Sequence, residues 1–149
     1  MIKKKIIFIL FLLSSCGYQP LFVGKNTNEL IFKDINSFGE KNINRKLISI
    51  SGFKKDEQNF IYSKLTINSK KDIVETSKNA KGKVVSYKMI INLDLTFEDK
   101  NKEVKTKSFS ESFSYNNLEN KFELAEHEKQ VENILINKIF EELIIYFNL

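Results

Sequence analysis

An α+β fold is predicted: a two-layer sandwich in which an about four-stranded, mixed or antiparallel sheet carries two helices on one face, in the order β-α-β-β-β-α. Three patterns in the 149-residue chain predict it. Residues 85–97 alternate between apolar and polar over their whole length. Segments 42–51 and 120–147 place apolar residues at helical spacing, and stretches rich in Asn, Asp, Lys and Gly separate the alternating runs.

The elements follow in order. Leu30, Ile31, Phe32 and Ile35 mark a first strand over 30–35, which Gly39 breaks. Over 42–51, Ile43, Leu47 and Ile50 fall on one helical face, and Gly52 stands where a left-handed C-terminal stop belongs. Period two takes over across 60–75: Ile61, Leu65, Ile67 and Ile73 share one face, while Tyr62, Lys64, Thr66, Asn68 and Lys70 take the other. Residues 78–83, with Gly82, form a polar turn. Val85, Tyr87, Met89, Ile91, Leu93, Leu95 and Phe97 then put seven apolar side chains on one face of a long, half-buried strand. The EDKNK stretch at 98–102 turns the chain back into 104–115, where Phe109, Phe113 and Tyr115 face inward and Ser108, Ser110, Ser112 and Ser114 outward. Val104 is out of phase with Phe109, which predicts a bulge or fray near Thr106. Asn120 and Glu123 are spaced as a capping pair for a last helix reaching about Phe147. Leu124, Val131, Leu135, Ile139, Leu143 and Phe147 recur along its stripe, which Ile136, Phe140 and Ile144 widen until it needs a sheet face or a second helix to cover it.

Ahead of the domain, Lys3, Lys4 and Lys5 precede eight unbroken apolar residues at 6–13. A membrane-spanning helix needs about 20 such residues, so the pattern is that of a signal peptide over 1–15. Leu13-Ser14-Ser15-Cys16 resembles the bacterial lipobox: an aliphatic residue, two small ones, then the cysteine to be acylated. Cleavage between Ser15 and Cys16 then makes Cys16 the first residue of the mature chain and its lipidation site. Each buried methylene contributes about 0.8 kcal/mol, and a stable anchor takes more than one acyl chain. Residues 16–28 read as a lipidated tether and 29–149 as a single periplasmic α/β domain. Gly17, rather than Asp, after the cysteine favours the outer membrane by resemblance to enterobacterial sorting.

Charge and chemistry narrow the function. Without Lys3, Lys4 and Lys5 the chain's 24 basic residues become 21 against 19 acidic ones, a balance without the basic cluster that nucleic acid demands. One cysteine permits no internal disulfide. His127 is the sole histidine, and the helix around it lacks the second histidine of a zinc-binding H-E-x-x-H motif. No G-x-S-x-G elbow and no glycine-rich phosphate loop occurs. Glu123, Glu126, Glu128, Glu132, Glu141 and Glu142 fall mostly on the polar side of the last helix. The residues describe a binding or assembly module that needs no metal or cofactor, not an enzyme.

Cys16-Gly17-Tyr18-Gln19-Pro20-Leu21-Phe22 resembles the C-G-[FY]-x-P-L-[YF] opening of the alphaproteobacterial LPS-assembly lipoproteins, the LptE family. The likeness continues through Ser86-Tyr87-Lys88-Met89, Ser112-Phe113-Ser114-Tyr115 and the helix ending Leu143-Ile144-Ile145-Tyr146-Phe147. The resemblance implies a lipoprotein on the periplasmic side of the outer membrane, seated in the lumen of an LptD-type β-barrel and passing lipopolysaccharide to the cell surface. The family often carries several arginines, whereas Arg45 stands alone here, so no particular phosphate-binding position is carried over. Lysines on the polar sheet face, Lys64, Lys70 and Lys88 first, are candidate lipopolysaccharide contacts as exposed point charges, or serve only to keep the sheet soluble. Phe60 and Tyr62 are candidate partner contacts on that face. The alternative reading is an envelope lipoprotein that binds a lipid, peptidoglycan or a different assembly machine.

Replacing Cys16 with Ala is expected to abolish incorporation of labelled acyl chains and to leave the protein uncleaved or released from membranes; metabolic labelling with membrane fractionation checks both.

Overall fold

The computed structural model describes residues 30–147; the signal, Ser15, Cys16 and the tether lie outside the described residues. The chain runs β1 (Ile31–Gly39), α1 (Lys41–Ser51), β2 (Lys54–Lys55), β3 (Tyr62–Lys78), β4 (Val84–Asp99), β5 (Val104–Asn116) and α2 (Lys121–Phe147). One mixed sheet has the strand order β2-β1-β3-β4-β5. β1 lies parallel to β2 and β3, while β3, β4 and β5 form an antiparallel meander. The predicted α+β class and the predicted order therefore hold, with one short strand added at the β1 edge. At two residues, β2 is too brief to leave a periodic signal.

Alternation sets the layers. Met89, Ile91, Leu93, Leu95 and Phe97 of β4, Leu65 and Ile67 of β3 and Phe109 and Tyr115 of β5 are buried under the helices. Ile43 and Leu47 of α1, and Val131, Leu135, Ile136, Ile139, Leu143 and Ile144 of α2, close over them. Burying a Leu or Ile side chain completely contributes about 1.5–3 kcal/mol, so this one interlayer core outweighs any single polar contact in the domain. At the lower end Phe32 stacks on Tyr62 at 5.4 Å, Tyr62 meets Phe97 edge-on at 5.6 Å, and Phe97 meets Phe147 at 5.3 Å. This aromatic cluster ties the start of the domain to the end of α2.

The helix termini form as their residues dictate. Asn120 Oδ1 accepts hydrogen bonds from the Phe122 and Glu123 amides at 2.9 and 3.5 Å, and its Nδ2 donates to Glu123 at 3.3 Å. Gly52 ends α1 at φ 66°. At the other end of α1, Asn44 is buried and donates from Nδ2 to the Phe38 carbonyl at 2.7 Å, tying the helix to the end of β1.

Three expectations are corrected. Tyr62 faces the core and Ile61 is 48% exposed, the reverse of their expected sides. The β3–β4 register shifts between Tyr62 and Lys64, and this bulge changes which parity points inward. No bulge occurs near Thr106: β5 pairs with β4 in unbroken register from Glu98 opposite Val104 to Ser86 opposite Asn116. Val104 is 62% exposed because regular alternation puts it on the open face. Ile73, Val85 and Phe113 keep the inward parity but are 42%, 40% and 37% exposed, since the hairpin of β3 and β4 outruns the helices that cover it.

Gly39 turns the chain out of the sheet. Its φ is +82°, and a Cβ there would stand 1.8 Å from the Ser69 carbonyl oxygen. That carbonyl accepts the Glu40 amide at 3.3 Å. Near the other side of the domain, Lys138 reaches Glu111 at 3.7 Å. Loss of hydration, and next the hydrogen bond that the protonated Glu142 carboxyl donates to Glu111, raise the Glu142 carboxyl above its ordinary value of 4.5.

Gly39→Ala should therefore destabilise the domain at least about twice as much as Gly82→Ala. At Gly82 (φ +76°) the added methyl meets open space and only the left-handed backbone, about 1 kcal/mol, is penalised; urea titration of both variants checks the order. Because the folded state binds the Glu142 proton more tightly, stability falls as pH rises from 4.5 through the raised value. Glu142→Gln should flatten that slope in denaturation curves taken between pH 4 and about 7.

Candidate functional site: an open polar sheet face and an interhelical cleft

Among the described residues both helices lie on one face of the meander and the other face is bare. It is assembled from even-numbered positions in cross-strand rows: Thr66, Thr96 and Thr106; Asn68, Asp94 and Ser108; Lys70, Asn92 and Ser110. Neighbours in these rows bond to one another. Thr96 and Thr106 hydroxyls meet at 3.0 Å, Ser108 donates to Asp94 at 2.6 Å, and Ser110 donates to Asn92 at 2.7 Å. The side chains are thereby held upright in an ordered hydroxyl and amide lawn, a surface that can form hydrogen bonds with a polar partner without first reorganising.

Lys64, Lys70 and Lys88 all project from this face, where alternation predicts them. They do not converge. Lys64 and Lys70 are six positions apart on one strand, about 20 Å. Lys64 sits opposite Glu98, Lys70 pairs with Asp72 at 2.9 Å, and Lys88 lies between Val74 and Ser114. Phe60 is flanked by the Lys33 and Lys100 ammonium groups at 5.8 and 5.2 Å from its ring, while Tyr62 belongs to the core and is withdrawn from partner contact.

A second site forms where the amino-terminal halves of α1 and α2 diverge over β3. A cleft of about 480 Å³ has Ile73 and Met89 among its lining residues, with Arg45 and Lys46 from α1, Lys71 from β3, and Glu128, Lys129 and Glu132 from α2. Lys71 donates to Glu132 at 2.7 Å, and that bond holds its ammonium above the ordinary lysine value. Tyr115 donates to Glu128 at 2.9 Å; burial, then this bond, push the phenol pKa up. Lys46 hydrogen-bonds Asn133 across the helix pair, and Arg45 donates to Asn42 at 2.8 Å. His127 packs edge-on against Tyr115 at 5.6 Å. The cleft went unread in the sequence because its charges come from three segments far apart in the chain; the only local signal was the solitary Arg45 on the polar side of α1.

Among the described residues no group of three or more His, Cys, Asp or Glu side chains is placed to hold a metal ion, and no helix is long and apolar enough to cross a membrane.

No protein-family model matches the chain, and no curated protein matches it. Solved structures do. The chain is similar to rare lipoprotein B from Shewanella oneidensis, with a TM-score of 0.56, 12% identity and coverage of 77% of this chain and 93% of that one. Lipoprotein B from Nitrosomonas europaea gives a TM-score of 0.56 at 10% identity, over 81% and 87% of the two chains. A minor lipoprotein from Acinetobacter baumannii gives 0.52 at 10% identity, over 76% and 87%. At such identities the likeness is one of fold: a sheet with two helices on one face, shared over nearly the whole length of three lipoprotein structures.

Proposed function

We propose that this protein is a lipid-anchored envelope lipoprotein, held by Cys16 on the periplasmic side of the outer membrane, that occupies an LptD-type β-barrel and assists delivery of lipopolysaccharide to the outer leaflet. The observation that carries the reading is the one-sided sheet: a rigid core under two helices leaves an ordered, polar face of the kind a polar barrel lumen would meet. The lipobox at Leu13-Ser14-Ser15-Cys16 and the family-like opening through Phe22 point the same way, and the fold shared with lipoprotein structures supports them. The part played by the protein is to bind and position. Hydroxyls and amides of β4 and β5 would line the contact with the lumen, and Lys64, Lys70 and Lys88 would meet phosphates of lipid A or the core sugars as separate point charges along the face.

Affinity purification from membranes is expected to recover an outer-membrane β-barrel with the protein, and depletion is expected to reduce surface lipopolysaccharide. Recovery of peptidoglycan or of another assembly machine without a barrel would favour the alternative reading. Reversing Lys64, Lys70 and Lys88 together to Glu should weaken lipopolysaccharide capture by about tenfold while leaving the folded domain intact, since all three lie outside the core; unchanged capture would assign the lysines to solubility alone.

A further inference from the structure

Beyond its last pairing with β1, β3 has a free edge. The β1–β3 ladder ends at Gly39 opposite Ser69, yet β3 continues to Lys78 with, among the described residues, β4 on its other side only. The Ser69 carbonyl points toward β1, where it accepts the Glu40 amide. Because backbone groups of an extended strand repeat their direction every second residue, Lys71, Ile73 and Glu75 present their N–H and C=O groups to the vacant side. Register shifts beyond Glu75 end the regular stretch. Three consecutive outward-pointing residues are thus available as a template of the kind that takes up another strand.

The cleft beside this edge specifies the chemistry of what could pair there. Lys71 and Ile73 line both features. The cleft wall holds four cations, Arg45, Lys46, Lys71 and Lys129, against two carboxylates, Glu128 and Glu132. The carboxylates are engaged, Glu132 by Lys71 and Glu128 by the Tyr115 hydroxyl. Arg45, Lys46 and Lys129 form no salt bridge among the described residues. Asn42 engages one guanidinium nitrogen of Arg45, leaving further donors of the fork for a carboxylate. A side chain opposite Ile73 would meet the apolar floor made with Met89.

We propose that the free edge of β3 at Lys71, Ile73 and Glu75, beside the interhelical cleft, takes up an extended acidic segment of a partner protein as an added strand. Backbone pairing supplies the attachment. One apolar side chain enters over Ile73 and Met89, and carboxylates two positions to either side are directed to Arg45 and Lys129, the Glu75 carboxylate on the same face being engaged by Lys78 at 2.9 Å. The assignment stands independently of the barrel reading, since it uses the helix-covered side of the domain rather than the open face.

The test is amide hydrogen exchange of the full-length lipoprotein in detergent, with the acetylated peptide Thr-Glu-Thr-Val-Thr-Glu-Thr as probe and Thr-Lys-Thr-Val-Thr-Lys-Thr as its charge-reversed control. The acidic peptide is expected to slow exchange at Lys71, Ile73 and Glu75, and the basic peptide to leave them unchanged. Joint Arg45→Glu and Lys129→Glu reversal, at two exposed positions, should weaken the acidic peptide roughly tenfold. Two backbone-methylated forms of the acidic peptide, one blocked at positions 2, 4 and 6 and the other at 3 and 5, leave the protein untouched; only one of them should lose binding. Equal protection by both charge forms, equal binding of both methylated forms, or no protection by the acidic peptide at any soluble concentration would overturn the proposal.

Discussion

The seating of α2 on the inward face of β4 is the contact on which the rest of the domain depends. β4 is paired along almost its whole length on both sides, so its alternation dictates the parity of β3 and β5 through the ladder. Ile91, Leu93 and Leu95 face one way, and Leu135, Ile139 and Leu143 close over them. Once that stripe is buried, no freedom remains in which side of the meander is wet. Hydroxyls, amides and lysines occupy the other face because a one-residue slip would exchange the entire set.

A second consequence lies at the ends of the sheet. Helices of 11 and 27 residues cannot roof strands of 17, 16 and 13 residues in every direction. β1 also stops short, because Gly39 turns the chain into α1 just where β3 continues. The same event produces the cleft: α1 starts at Lys41 beside the departing strand, and its first turns stand apart from α2 over a patch of sheet floored by Ile73 and Met89. The basic wall and the free edge are thus products of one topological decision, the short β1.

Much of this was legible in the residues, and the failures have physical causes. Period-two alternation located β4 and β5, helical spacing located both helices, and Asn120 and Gly52 set helix ends through side-chain and backbone chemistry that is local. Tyr62 and Ile61 were assigned to the wrong sides because a bulge is a property of pairing between strands and leaves no mark on the alternation of one strand. Val104 was read as a defect when it was simply an apolar residue on a wet face; its exposure breaks the usual composition but not the geometry. β2 is too short for any period. Lys64, Lys70 and Lys88 were correctly placed on the open face, but alternation cannot report distance along a strand, and they stand apart. The cleft needed three dimensions, since Arg45, Lys71 and Lys129 come together only after β3 has been laid beside the two helices.

Together these features describe a domain that presents two unlike surfaces, a bare polar sheet on one side and a roofed side with a basic cleft on the other. The central claim is that the bare side is where the proposed barrel contact is made. Site-specific photo-crosslinking in intact cells tests it most directly, with a photoreactive residue placed at Ser110 on the open face and, in a parallel strain, at Lys138 on the exposed side of α2. The account predicts a single dominant adduct from Ser110 to an outer-membrane β-barrel and a far weaker one from Lys138. Adducts from Lys138 alone, or none from Ser110, would contradict it.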